Sequence, residues 1–289
     1  MRLGLAPSRR AAREMIERGG VRINGRRCVK SASVAPDDTV EIACAESPAE
    51  AIVPDSSLEL EVLYQDAALI VVNKPGGIAC HPIRAGESAT VMNAVAARFP
   101  ETASAGDKPL EGGLVHRLDN GTSGALIVAR RGDSLVALRA AIKSGAIARR
   151  YHALVAGRLN STLELDRRIA HHPKNPRKMV IGNPDSLDRR RVGRAAHTSV
   201  LPLRKIDATR TLIEVSPRSG SRHQIRVHLA DAGFPIVGDV LYGGPAVPEL
   251  APGRFWLHLA ELELDSPATG RIKVTAPLAE DLRGLISGN

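Results

Sequence analysis

His116, Arg117 and Asp119 stand together in a polar stretch that continues through Asn120, Thr122 and Ser123 and is bordered by Gly112, Gly113, Gly121 and Gly124. Glycines on both sides let a loop turn tightly. A carboxylate held in such a loop can serve as a nucleophile or a base without a metal or a cofactor. A guanidinium within a few ångströms would keep it ionised in a closed pocket. An acid beside an arginine is equally an ordinary structural ion pair, so this stretch does not decide the matter alone. A second polar cluster holds Arg218, Arg222, His223, Arg226 and His228. His223 and His228 are five apart, which is not the helical spacing of four that shares one face. No acid stands at a useful distance from them, and the His171-His172 pair lies in a basic loop, so no metal site is expected. Tyr151 draws notice for a different reason. Aromatic residues make up only 2% of the chain, with three Tyr in all. The core must therefore be mostly Val, Leu, Ile and Ala, and each Tyr needs its own explanation.

The elements that must position these groups follow from apolar periodicity. "GGLVHRLDNGTSGALIVAR" has apolar runs on both sides of its polar centre and predicts strand, loop, strand. "EVLYQD" and "LIVVNKP" predict strands ahead of it. "SATVMNAVAARF" predicts a helix capped by Ser88. Residues 134–144 predict a helix ending at Gly145, followed by the strand "RYHALVAG". Strands are expected near 198–203 and 211–216, and "HQIRVHLADAG" predicts a helix stopped by Gly233. "FWLHLAELEL" and "GRIKVTAPL" predict late strands. Helices and strands do not alternate regularly, which argues against a doubly wound sheet. The expected class is α+β, with a mixed, mainly antiparallel sheet and flanking helices.

Residues 1–45 predict a separate small α/β unit. Its helix begins at Pro7-Ser8 with Ser8 as cap, carries Ala11, Ala12, Met15 and Ile16 on one face, and stops at Gly19-Gly20. "VRINGRRC" predicts strand, Asn24-Gly25 turn, strand, and "DDTVEI" a closing strand. Residues 46–58 have the Pro, Ser and Ala content of a linker, which leaves 59–289 as the larger domain.

The net charge is +9 over 289 residues. The positive residues are clustered: residues 1–30 alone hold eight Arg and one Lys. Clustered cations favour a polyanionic partner, because they displace counterions from phosphates. No basic amphipathic helix, long apolar run or signal peptide points to a membrane. Cys28, Cys44 and Cys80 are too few and too far apart for a disulfide framework or a zinc knot. A cytoplasmic, monomeric protein that binds nucleic acid is the expectation.

Five segments resemble the RluA-type pseudouridine synthases, in family order and spacing across residues 60–280. They are "VNKPGGIACHP", "VHRLDNGTSGALIVA", "RRYHALVAG", "HQIRVHLADAGFPIVGDVLYGG" and "WLHLAELELDSPATG". The resemblance implies an enzyme that isomerises uridine to pseudouridine in RNA, with no cofactor and no metal, in a cleft of a mixed sheet. It places the catalytic carboxylate at Asp119 and its charge partner at Arg226. Tyr151 matches the pocket tyrosine, whose ring can stack on uracil. Arg117 matches the residue that fills the space of a flipped-out base or contacts phosphate, and His116 is expected to support the loop. The amino end resembles the RNA-binding domain of the ribosomal protein S-four type, shortened at its start. It makes Arg9, Arg10, Arg13, Arg22, Asn24 and Arg26 candidate RNA contacts, with Arg222 a further one in the larger domain. The family's usual T-G-R-x-H-Q-I-R reads Ser219-Gly220-Ser221-Arg222-His223 here, so its first Arg is displaced by one position and its role is not carried over. Ribosomal RNA, most of all that of the large subunit, is the expected target. Transfer RNA is the alternative, and a non-catalytic ribosome-assembly factor is the competing class.

Overall fold

The computed structural model describes residues 9–17, 19–42 and 51–287, which fall in two compact units, Met1–Glu50 and Ala51–Asn289. In the first, helix α1 (Arg9–Glu17) ends where Gly19 takes a left-handed φ of +78°, and Gly19 and Gly20 donate back to the Ile16 and Met15 carbonyls. Strands β1 (Val21–Ile23) and β2 (Arg26–Arg27) form a hairpin. Its turn puts Asn24 and Gly25 at φ of 49° and 74°, the geometry that fits a tight hairpin. Strand β3 (Val40–Ile42) pairs with the other edge of β1. The expected cap at Ser8, Cys44 and residues 46–50 of the expected linker lie outside the described residues.

In the second unit, the chain passes through β4 (Val62–Gln65), β5 (Leu69–Lys74), α2 (Val91–Arg98), β6 (Ser123–Ala129), α3 (Gly132–Ser144) and β7 (Ala148–Ala156). It continues through β8 (Leu163–Asp166), β9 (Ile169–His171), β10 (Met179–Ile181), α4 (Arg189–Val192), β11 (His197–Lys205), β12 (Arg210–Pro217) and α5 (Gln224–Asp231). It closes with β13 (Leu257–Ser266), β14 (Gly270–Thr275) and α6 (Glu280–Arg283). Nine strands make one sheet in the order β4-β5-β6-β13-β7-β12-β11-β8, with β14 also on β13. All its pairings are antiparallel except β6 with β13, so the class is α+β with a mixed, mainly antiparallel sheet.

The parallel contact is short, joining His258 to Ser123 and Leu259 to Gly124. It requires Gly124: its φ is +114°, and a Cβ there would stand 2.2 Å from the Leu259 carbonyl oxygen. Strand β6 is buried at every position, as its unbroken apolar run demands of a strand covered on both faces. Leu69–Val72, Val91, Met92, Leu126, Val128, Leu135 and Leu138 join one core.

Three local expectations are corrected. Helix α2 is capped by Thr90, not Ser88, because Thr90 and Asn93 exchange the two bonds of a capping box. The run before the polar stretch is not a strand: Leu114 makes only an isolated bridge to Val128, since the chain there is turning toward the loop. Residues 51–58 do not behave as linker. Ile52 is buried in the core, Asn93 Nδ2 donates to the Val53 carbonyl at 2.6 Å, and Asp55 accepts the Ala89 amide at 3.0 Å.

Candidate active site

Asp119 lies in the loop that leads into β6, at a small cleft of about 80 Å³ bounded by β7, the end of β12 and the start of α5. The loop's shape is held by groups far away in sequence. Lys74, fully buried at the end of β5, donates from Nζ to the carbonyls of Pro75, Asn120 and Thr122 at 2.9, 3.2 and 2.7 Å. Burial lowers its pKa to about 8. The Gly77 amide donates to the Asn120 carbonyl. Cys80 grips Leu118 twice: its thiol donates to the Leu118 carbonyl, and its sulfur accepts the Leu118 amide at 3.3 Å. Burial pushes that thiol's pKa up, so it stays a thiol and can donate. Arg254 donates to the Gly121 carbonyl and to Ser123 Oγ, and is fixed in turn by Asp281. Gly121 is needed for this approach, because a Cβ there would meet the Gly253 carbonyl oxygen at 2.3 Å.

The other wall is α5. His223 enters it in a left-handed conformation, φ 54°. Arg226, one turn on, is 6% exposed. Its Nη1 donates to Asp119 Oδ2 at 2.9 Å, while its Nε and Nη2 grip the two oxygens of Asp239 at 2.7 and 2.8 Å. Its plane lies over the rings of Phe255 and Tyr242, 4.3 and 4.9 Å from their centres, a setting that suits a guanidinium. The cation is therefore locked before it meets Asp119.

His223 Nε2 is 3.8 Å from the same Oδ2. Its Nδ1 is 2.8 Å from the Tyr242 hydroxyl, which already accepts the Met179 amide. That hydroxyl is best satisfied by giving its proton to Nδ1, which leaves Nε2–H facing the carboxylate. Burial holds the His223 pKa near 4, so the ring is neutral at pH 7.

Tyr151, on β7, is buried and lines the cleft, and burial raises its pKa. Arg117 is exposed at the cleft. His116 points away from it: its Nε2 accepts the Ile127 amide at 3.2 Å. Burial first, and the Arg149 charge second, depress the His116 pKa to about 3.

Arg222 does not reach the cleft floor. It is exposed and donates to the carbonyls of Pro176 and Arg177 at 3.0 and 3.4 Å, tying the β9–β10 connection to the head of α5. Among the described residues no cluster of His, Cys, Asp and Glu could hold a metal ion, and no helix is long and apolar enough to cross a membrane.

In the small unit, Arg22 and Arg26 are exposed on the hairpin. Arg13 is exposed and pairs with Glu17 at 2.8 Å. Arg9 and Arg10 begin α1, and their side chains lie outside the described residues. Asn24 is used internally: its amide group donates to Asp38 and accepts from the Thr39 amide, fixing the hairpin turn.

The family pattern described as RNA pseudouridylate synthase matches residues 68–231, which include the loop of Asp119, Tyr151 and Arg226. The chain belongs to the RNA pseudouridylate synthase family. The S4 domain pattern matches residues 1–40. The ribosomal large subunit pseudouridine synthase D of Pseudomonas aeruginosa is 32% identical, over 91% of this chain and 84% of its own. An uncharacterized RNA pseudouridine synthase of Chloroflexus aurantiacus is 36% identical, over 96% of this chain and 84% of its own. Among solved structures, human RNA pseudouridylate synthase domain containing 1 superposes with a TM-score of 0.62 at 25% identity, covering 80% of this chain and 89% of that one. As an RNA pseudouridine synthase, the protein isomerises uridine within RNA.

Sequence reasoning missed five residues that shape this site: Lys74, Cys80, Arg149, Asp239 and Arg254. Lys74 could have been suspected, as a lysine closing an otherwise apolar strand. Asp239 sat inside a segment quoted for the family resemblance. Lys74, Cys80 and Arg149 likewise stood inside quoted segments without a role, and Arg254 gave no sequence signal.

Proposed function

We propose that Asp119 is the nucleophile of a cofactor-free isomerisation of uridine to pseudouridine in structured RNA, with large-subunit ribosomal RNA as the substrate. The observation that supports this most is the division of labour within one carboxylate. Oδ2 of Asp119 is engaged by Arg226 at 2.9 Å, while Oδ1 has no hydrogen bond among the described residues and is left for a substrate. A carboxylate with one oxygen tethered and one free is oriented for attack without being neutralised.

The uridine leaves its stack to enter the cleft, and its base lies on the Tyr151 ring. Oδ1 bonds to C1′ as the C1′–N1 electron pair leaves with uracil. The base turns, C5 bonds to C1′ and expels the carboxylate. C5 then loses its proton and N1 gains one. Burial keeps Tyr151 in its neutral form, so its hydroxyl is available to give or relay a proton. Arg117 holds the RNA at the mouth, or occupies the space the base has left. His116 supports the loop and takes no part in proton transfer, since it does not line the cleft and its Nε2 is engaged by the Ile127 amide.

The exposed Arg22 and Arg26 contact RNA phosphates from the amino-terminal unit, and Arg9, Arg10 and Arg13 of the same unit contribute to that binding. Arg222 adds at most a backbone contact. Large-subunit RNA is favoured because relatives from Pseudomonas aeruginosa and Xanthomonas campestris are named for that substrate.

Pseudouridine mapping in a strain lacking the gene tests the substrate. The expected result is loss of one or more pseudouridines from large-subunit ribosomal RNA, restored by the wild-type gene and not by an Asp119→Asn copy. Loss confined to transfer RNA would replace the substrate assignment. No loss from any RNA would sink it.

A further inference from the structure

Arg149 is a buried charge that the account so far leaves unused. It is 6% exposed. It precedes Tyr151 by two residues on β7, so both project from the same face of the sheet, and both line the cleft with Asp119. Its Nη2 donates to the Pro217 and Ser219 carbonyls at 3.4 and 3.1 Å. Its Nε is buried without a partner. Its Nη1 makes no hydrogen bond among the described residues and lies against Gly220, 3.5 Å from where a Cβ there would stand. No described carboxylate forms an ion pair with it. Its charge still reaches its neighbours: after burial it is the second cause of the depressed His116 pKa, and it opposes the rise that burial gives Tyr151.

A buried cation with no counter-ion is costly to keep. Such a group is useful where negative charge appears only during a reaction. We propose that Arg149 is a further catalytic residue, whose guanidinium stabilises the uracil anion released when the glycosidic bond breaks. This rests on the reading of Asp119 as the group that drives that cleavage.

The C1′–N1 electron pair leaves with the base and spreads over N1, O2 and O4. It is consumed when C5 bonds to C1′, after which C5 loses its proton and N1 is protonated. The anion exists only between the two bond events. A fixed cation at the edge of the base therefore favours that state over bound uridine. The argument does not depend on how C1′ is held in the interval, because attack at C1′ and elimination release the same anion. A backbone phosphate is a poor fit, since Arg149 is almost wholly covered by protein and only a group inserted into the cleft can touch it. A flipped base is such a group.

Arg149→Met removes the charge and keeps much of the volume, while Arg149→Lys keeps the charge. Single-turnover pseudouridine formation by Arg149→Met should fall by about 10²-fold or more, the loss typical of one anion-stabilising donor. RNA affinity should stay within about threefold and Arg149→Lys should retain most activity, as expected for a group that acts on the transition state. The melting temperature of Arg149→Met should be unchanged or higher, because an unpaired buried charge has been removed. Cleavage of the C1′–N1 bond of 5-fluorouridine in RNA should suffer less from the substitution than that of uridine, since fluorine stabilises the base anion by itself. An equal loss on both substrates would overturn the proposal. So would a weakened, less salt-dependent RNA affinity at unchanged single-turnover rate, the signature of a phosphate contact, or a lowered melting temperature shared by both variants, the signature of a structural arginine. Failure of the Asp119 reading is distinguishable, because it would appear as turnover by Asp119→Asn.

Discussion

Arg226 on α5 and Arg149 on β7 line one cleft, each 6% exposed, under contrasting electrostatic conditions. Arg226 is clamped by Asp239 through two bonds before its third reaches Asp119. Among the described residues Arg149 has only backbone carbonyls to satisfy it. Asp119, Arg226 and Asp239 together carry one net negative charge, and Arg149 adds a positive one to the same cleft. The paired arginine fixes a geometry, since bidentate clamping leaves the guanidinium no freedom to follow its substrate. The unpaired one holds charge in reserve for a species that enters later. Burial alone therefore does not reveal what a charged side chain is for; its partners do.

The contrast can be broken most forcefully at Arg226. Arg226→Ala leaves the buried carboxylate of Asp239 and the pinned oxygen of Asp119 without their cation. Losing one partner of a buried pair typically costs about 3–5 kcal/mol. Activity should become undetectable and the melting temperature should drop sharply, the opposite of the stability effect expected at Arg149. Arg222→Ala, in contrast, should leave turnover within a few-fold, because that side chain ties two loop carbonyls and does not touch the carboxylate. Equal losses at 222 and 226 in a kinetic comparison would undo the assignment of Arg226.

Tyr151 lines the same cleft as the two arginines and should give an intermediate effect. Tyr151→Leu removes the stacking surface, worth roughly 1–3 kcal/mol for a base–aromatic contact, and should lower activity accordingly. Tyr151→Phe should keep RNA affinity, and its rate shows whether the hydroxyl moves a proton. A fully active Tyr151→Leu enzyme would place the residue outside the substrate pocket.

A smaller effect uses pH. Burial, as the leading cause, holds His116 near 3 and His258 near 4 in the folded chain, against an ordinary 6.5. Between pH 6.5 and about 4 the unfolded chain binds protons that these rings in the folded chain do not. Unfolding free energy therefore rises with pH across that window and is lost as pH falls through it. His258→Gln should flatten the dependence of melting temperature on pH in this range; an unchanged slope would mean that the ring titrates normally. Removal of the Arg149 charge should move the His116 titration upward, and a His116 proton resonance that titrates identically in Arg149→Met would show that the cation does not reach it.

The sequence made the sheet strands legible because apolar runs such as Leu69–Val72 and Ala125–Ala129 report burial directly. The Asn24-Gly25 hairpin and the Gly145 helix stop were legible because their backbones need φ above zero. Asp119 and Arg226 are 107 residues apart, and no periodicity joins them; only the resemblance to a known family predicted their contact. The supports of the loop were not legible. The contacts of Lys74 and Cys80 run to backbone carbonyls and amides, which every residue has and no pattern marks, and Arg254 reaches Gly121, Ser123 and Asp281 from positions far away in sequence. Arg149 stood at the head of the quoted segment "RRYHALVAG" with no role given to it. Its isolation is a property of what packs around it, which spacing along one strand does not encode. Residues 51–58 read as linker for the same reason, since Ile52, Val53 and Leu58 stand among Ala, Pro, Asp and Ser with no helical or strand period, and only the assembled core shows Ile52 buried.

The central claim is that the free oxygen of Asp119 does the chemistry while Arg226 holds the other. The most direct test is a single-turnover assay of pseudouridine formation by Asp119→Asn on an RNA that the wild-type enzyme modifies, with affinity measured in parallel. The amide keeps the side chain's shape and removes the nucleophile. The expected result is RNA binding within a few-fold of wild type and no product. Substantial pseudouridine from the Asn variant, at matched affinity, would contradict the account.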